Sequence, residues 1–143
     1  MEQLSPLGPV YQAGTLSGNP VATACGLTTL KEIQKPGFFE ALSARTQQLT
    51  TGLAAAGRAA GIPIQVDSQG GMFGFFFLDA LAQNYQQVMK TDSPQFNQFF
   101  HGCLDRGVYW APALYEAGFV SSAHTQQDIN DTVAVVAEVL KSL

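Results

Sequence analysis

Residues 62–79, "IPIQVDSQGGMFGFFFLD", constrain the fold more than any other stretch of this chain. Ile62 to Val66 alternates loosely between apolar and polar side chains, and Met72 to Leu78 is an almost unbroken apolar run. The Gly70-Gly71 pair between them supplies the backbone freedom of a tight reversal, so the stretch predicts two antiparallel strands joined by a Gly-Gly turn. A strand that is apolar at every position predicts burial on both of its faces. Gly74 inside the run predicts a bulge or the close approach of another backbone. A single hairpin is marginal in water, so the rest of the chain must supply helices or further strands to cover it.

Helical spacing is present on either side. A helix is expected from Pro20 to about Lys35, with Val21, Ala24, Cys25, Leu27 and Leu30 mainly on one side. "KPG" at 35–37 breaks it. A second helix from Phe38 to about Ala60 carries Phe38, Leu42, Leu49, Leu53 and Ala56 at helical intervals and ends at Gly61. After a polar stretch, "AQNYQQVMKTDS", a third helix begins at Ser93-Pro94, with Phe96, Phe99, Phe100, Cys103 and Leu104 as its apolar face and Gly107 as its stop. "VYWAP" at 108–112 reads as a short strand, and "ALYEAGFVSSA" as a loop with another short strand. The last helix follows Thr125, with Asp128 placed for a capping box and Ile129, Val133, Val136 and Leu140 as its stripe. The expected fold class is α+β: a small, mostly antiparallel sheet of three or four strands with helices packed on one side.

Composition narrows the function. Charged residues make up only 13% of the chain against 46% hydrophobic, where roughly a quarter charged is usual. So little charge implies that much of the surface is covered by another domain or subunit. The seven Lys and Arg residues are scattered and the net charge is −4, which leaves no basic footprint for nucleic acid. No apolar run approaches the roughly 18 residues of a membrane span. Cys25 and Cys103 lie in apolar helical patterns without ligand spacing and read as core thiols, in keeping with a reducing, cytoplasmic setting and no metal. His101 and His124 form no zinc spacing and read as structural.

The stretch "VYQAGTLSGNPVATACG" (10–26) places glycines, hydroxyls and Asn-Pro directly before the first helix. Asn19 or Ser17 can cap that helix, and Pro20 suits its first position. The same turn could hold an anion, because free N–H groups, the Thr15 and Ser17 hydroxyls and the helix dipole favour phosphate. Local chemistry alone leaves both readings open, with the plain capped helix favoured.

"GPVYQAGTLSGNPVATACG", "GGMFGFFF", "GVYWAPALYEAGFVSSAHT" and the closing helix together resemble the glutamate-1-semialdehyde 2,1-aminomutase family, within the class-III aminotransferase superfamily of pyridoxal-phosphate enzymes. "GTLSGNP" suits the superfamily broadly, whereas "GGMFGFFF" with "YEAGFVSSAH" is much more specific. The resemblance spans essentially all 143 residues, yet only the C-terminal third of such an enzyme. Trp110 stands where the family more often has Leu, and Ala113-Leu114-Tyr115 where it has Ser-Ala-Phe; both swaps keep the local character. The resemblance implies that residues 1–19 are the tail of a large cofactor-binding domain, 20–35 a connecting helix, and 36–143 the C-terminal small domain of a fold-type-I enzyme. It implies a homodimer in which Gly14 and Thr15 bind the cofactor phosphate for the neighbouring subunit, Thr15 through its hydroxyl and backbone N–H. Tyr11 would lie near the active site. Glu116, which alone would read as a solvated charge, would face the substrate and hold an amino group. Ser121, Ser122 and His124 are read as structural.

Pyridoxal-phosphate chemistry needs a Schiff-base lysine and an acid for the pyridine nitrogen. Lys31, Lys35, Lys90 and Lys141 are the only lysines, and none lies in a segment resembling the family's lysine motif. The chain is therefore expected to be a piece of a longer protein, inactive alone and binding no cofactor by itself. As the full-length enzyme it would use pyridoxal 5'-phosphate in its pyridoxamine form to isomerise glutamate-1-semialdehyde to 5-aminolevulinate for tetrapyrrole synthesis. The alternatives are a piece of another class-III aminotransferase and a non-enzymatic module that binds a partner through its apolar surface.

Overall fold

The structure is a computed structural model and describes all of residues 1–143. It divides into two compact units, Met1–Phe38 and Phe39–Leu143.

In the first unit, the N-terminal segment folds back on itself. The Val10 amide donates to the Gln3 carbonyl (2.9 Å) and the Ser5 amide to the Val10 carbonyl (2.8 Å). Helix α1 covers Pro20–Ile33. Its start is as the sequence dictates: the Asn19 side chain accepts from the Val21 and Ala22 amides at 3.0 and 3.1 Å, with Pro20 in the first turn. The expected apolar stripe is present, but no residue of α1 is buried. Cys25, expected in the core, is exposed; helical spacing fixes which side chains share a face but not whether that face is covered.

The second unit holds the core. Helix α2 (Phe38–Ala60) buries Leu49, Leu53 and Ala56, together with Thr46 and Thr50. The two threonine hydroxyls bond back to the Leu42 and Gln47 carbonyls at 2.9 and 3.2 Å, so their burial strands no donor. The chain turns at Gly61, whose φ of +71° suits glycine. Strand β1 is Gln65–Gln69, beginning later than Ile62, because Ile62 is still tied to the end of α2 through its amide to the Gly57 carbonyl (3.0 Å). Strand β2 is Met72–Phe76, antiparallel to β1 with Gln69 opposite Met72. The two-residue turn has Gly70 at φ +59°, the positive angle a type II′ turn needs at its first central position. Gly74 faces Asp67 in unbroken register, so the expected bulge is absent. Strand β3, Gly118–Phe119, completes a three-stranded antiparallel sheet of order β1-β2-β3. A Cβ on Gly118 would lie 2.2 Å from the Phe73 ring, which explains glycine there.

The polar stretch before the third helix contains a single helical turn, α3 (Tyr85–Val88), capped by Asn84. Helix α4 is Ser93–Leu104 and α5 is Gln126–Leu140. Phe96, Phe99, Phe100 and Cys103 are buried on α4 as expected, while Leu104 is exposed. On α5, Ile129, Val136, Val139 and Leu140 are buried. The Thr125/Asp128 capping box is complete, and the Thr125 hydroxyl and amide hold the Asp128 carboxyl below the usual carboxylate range.

Residues 108–112 are not a strand. The Val108 amide bonds to the Cys103 carbonyl (3.0 Å), which ties the segment to the end of α4, and a strand requires a neighbour that these residues do not have. Trp110 still enters the core, packing on Phe73, Phe75 and Phe99 at ring distances of 6.0, 5.4 and 6.2 Å. Its indole N–H makes no full hydrogen bond; the Cys103 thiol is the polar group beside it. Burial pushes that thiol up to about 11, against the smaller opposing effects of Trp110 and Arg106. We expect an aromatic disulfide reagent to modify exposed Cys25 at least tenfold faster than Cys103 at neutral pH, since the thiolate is the nucleophile. Equal rates measured on Cys25→Ser and Cys103→Ser chains would contradict that packing.

Thr91 is the one buried polar residue outside α2. Its hydroxyl accepts from the Phe77 amide at 3.0 Å and faces the Phe77 carbonyl at 3.4 Å, standing in for the strand partner that β2 lacks beyond Phe76. Thr91→Val should cost about 1–3 kcal/mol, because it leaves a buried amide unpaired. Chemical denaturation that finds no loss would show water reaching Phe77.

Candidate active-site elements

The residues singled out by sequence fall in separate units: Tyr11, Gly14 and Thr15 in the first, Glu116 in the second. Each is therefore described in its own surroundings.

Around Thr15 the chain makes consecutive turns before α1. The Ser17 amide donates to the Gly14 carbonyl and the Asn19 amide to the Leu16 carbonyl, both at 3.0 Å. The Thr15 hydroxyl and the Thr15 and Leu16 amides donate to no group of this chain. A Cβ on Gly14 would sit 2.4 Å from the Ser17 hydroxyl, so glycine is what lets the turn close this tightly. Tyr11 is 81% exposed. The turn thus presents unused donors to the outside, which is the chemistry that a phosphate requires.

Glu116 lies in the loop leading to β3. Its amide donates to the Ala113 carbonyl (3.1 Å), and its carboxylate is exposed with no hydrogen bond or ion pair in this chain. The side chain borders a cavity of about 240 Å³, whose floor is Met72, Gly74 and Phe76 and whose rim includes Asp67 and Tyr115. The floor follows from strand geometry. Phe73, Phe75 and Phe77 point into the core, so the even-numbered residues face the other way. The expectation of burial on both faces of β2 is therefore corrected: Phe73 is 5% exposed and Met72 45%. Sequence reading missed this cavity. Its signal was the even-numbered apolar series itself, which alternation assigns to a single face.

Among all residues, no group of His, Cys, Asp and Glu is arranged to hold a metal ion. No helix is long and apolar enough to cross a membrane.

The three-stranded antiparallel sheet and its helices form a fold shared with solved transaminases, and the chain belongs to the class-III aminotransferase family, whose model matches residues 1–130. Among individual relatives, the glutamate-1-semialdehyde 2,1-aminomutase of Acidovorax sp. (strain JS42) is 69% identical over all 143 residues, which make up 33% of that protein. That of Polaromonas naphthalenivorans is 71% identical over 133 residues, 93% of this chain and 30% of the relative. The chain thus spans about a third of the length of the curated relatives it matches. An omega-transaminase from Sphaerobacter thermophilus superposes with a TM-score of 0.78 at 25% identity, covering 96% of this chain and 32% of that one. A glutamate-1-semialdehyde aminomutase from Pseudomonas aeruginosa, crystallised in complex with PMP, shares the fold with a TM-score of 0.79 at 19% identity, over 95% of this chain and 31% of that one. The resemblance carried by "GTLSGNP", "GGMFGFFF" and "YEAGFVSSAH" holds.

Proposed function

We propose that this chain is the C-terminal portion of a glutamate-1-semialdehyde 2,1-aminomutase, which isomerises glutamate-1-semialdehyde to 5-aminolevulinate in tetrapyrrole synthesis. The observation that carries the reading is 69% identity to such an aminomutase across every residue of the chain. In this reading, residues 1–19 end the large cofactor domain, 20–35 connect, and 36–143 form the small domain. The active enzyme is a cytoplasmic homodimer.

The cofactor is pyridoxal 5'-phosphate in its pyridoxamine form, which supplies the amino group and the electron sink. Gly14 and Thr15 hold its phosphate for the neighbouring subunit. The fit rests on the unused Thr15 hydroxyl and amide and on the tight Gly14 approach. Tyr11 stands beside the site. Glu116 holds an amino group of the substrate at the mouth of the cavity floored by Met72, Gly74 and Phe76. An ionised carboxylate offers two acceptor oxygens and no donor, which suits an ammonium. None of the four lysines lies in a segment resembling the family's lysine motif, so in this reading the chain alone is inactive.

Two assays test this. An enzyme of the relatives' full length that contains this chain should form 5-aminolevulinate with no added amino donor. Turnover only with an external donor would make it an aminotransferase instead. The 143-residue chain, given pyridoxamine phosphate and glutamate-1-semialdehyde, should not exceed the uncatalysed rate; turnover above that would overturn its assignment as an incomplete catalytic unit.

A further inference from the structure

The loop that carries Glu116 is held at its far end by a turn containing a histidine. Beyond the two residues of β3, the Val120 amide bonds to the Gly71 carbonyl at 2.8 Å. The chain then reverses through Ser121–His124. The His124 amide donates to the Ser121 carbonyl (3.2 Å), and the Ser121 amide donates back to His124 Nδ1 (3.0 Å). The Ser121 hydroxyl lies 3.1 Å from the same Nδ1 and accepts from the Ala123 amide at 3.3 Å. Arg45 on α2 donates to the Ser122 carbonyl (3.3 Å), and Thr125 then opens α5.

An imidazole nitrogen accepts an amide N–H only when it carries no proton, so this arrangement fixes the neutral ring with its hydrogen on Nε2. A proton on Nδ1 would point a second donor at the Ser121 amide. The new N–H can turn to the Ser121 hydroxyl oxygen, but the amide loses its acceptor. The charged and titratable groups around the turn are Asp128 on α5, whose carboxyl feels the His124 ring, Arg45 on α2 at the Ser122 carbonyl, and Tyr109, which lines the same cleft beside β3. Of these groups, the ring is the one whose protonation changes the acceptor offered to the Ser121 amide.

We propose that His124 is a positioning residue: its unprotonated Nδ1 holds the Ser121 amide and thereby fixes the loop that presents Glu116. This rests on the reading above that Glu116 meets the substrate. Because β3 is only two residues long, the turn after it supplies much of the anchorage that a longer strand would give. Protonation of His124 releases the Ser121 amide and lets the Glu116 loop shift.

Amide NMR of the 143-residue chain, swept from about pH 8 to about pH 5.5, where histidines titrate, reads both links. The Ser121 amide resonance should move together with the His124 ring resonances, and the Glu116 amide should follow them. His124→Asn places a carboxamide oxygen where Nδ1 was and should hold both resonances near their high-pH positions throughout. A Ser121 amide that ignores the His124 titration overturns the latch. A Ser121 amide that moves while Glu116 stays fixed overturns the positioning role. Neither outcome depends on Glu116 touching substrate. If both amides follow the ring and the full-length enzyme tolerates Glu116→Gln, the fault lies in the assigned role of Glu116.

Discussion

Phe99→Ala should lower the stability of the Phe39–Leu143 unit by about 3–5 kcal/mol, the cost of emptying a large aromatic site in a closed core. Phe99 is 0% exposed. Its ring lies 5.5 Å from Phe75, 5.5 Å from Phe77 and 6.2 Å from Trp110, joining helix α4 to strand β2 and to the irregular segment after α4. Those neighbours are themselves rigid rings and cannot collapse into the space left behind. A loss of that size is a large share of the roughly 5–15 kcal/mol that holds a domain together. Leu104, on the same helix but 41% exposed, provides the contrast. Its replacement by alanine should cost no more than about 0.5–1 kcal/mol. Urea midpoints for the two variants decide the matter. Equal losses would mean that the aromatic cluster is not the centre of this unit.

Thr15→Ala in the full-length enzyme should weaken cofactor retention roughly 10- to 150-fold, which is about 1.5–3 kcal/mol for one hydrogen bond to a charged group. The Thr15 hydroxyl bonds to nothing in this chain, and the Ser17 and Asn19 amides that shape the turn do not involve its side chain. The fold should therefore be intact in the variant, with an unchanged circular dichroism spectrum and melting midpoint in the apo form. Affinity is measured by titrating apo enzyme with pyridoxal phosphate and following its absorbance. Unchanged affinity would return Thr15 to the role of a turn residue, with Asn19 alone explaining the helix start.

The helices were legible because each carries its own chemistry. Asn19-Pro20 begins α1, Ser93-Pro94 begins α4, Thr125 caps α5, and glycines at 61 and 107 end α2 and follow α4. The hairpin was legible from Gly70-Gly71 between two strand-like runs. Residues 108–112 were misread because β-rich composition says only that a segment can be extended, while a strand also needs a partner within hydrogen-bond reach. Gly74 was misread because glycine in a strand is compatible with a regular ladder. The turn at Gly14-Thr15 was visible as chemistry, and Glu116 only through resemblance, since a lone Glu between small residues has no local signature.

By itself the sequence determined the α+β class, the helix boundaries, the hairpin turn and the family, because these depend on neighbours a few residues apart or on matching whole motifs. Tertiary structure alone decided which apolar faces are covered. Cys103 is sealed beside Trp110 while Cys25 lies open, and Phe73 is buried while Met72, one residue before it, floors a cavity beside Glu116. It also decided that His124 Nδ1 meets the Ser121 amide, in a turn that Arg45, 77 residues from Ser122, helps to hold. Burial and hydrogen bonding are set by what the rest of the chain brings to a residue, and periodicity along the chain cannot specify that.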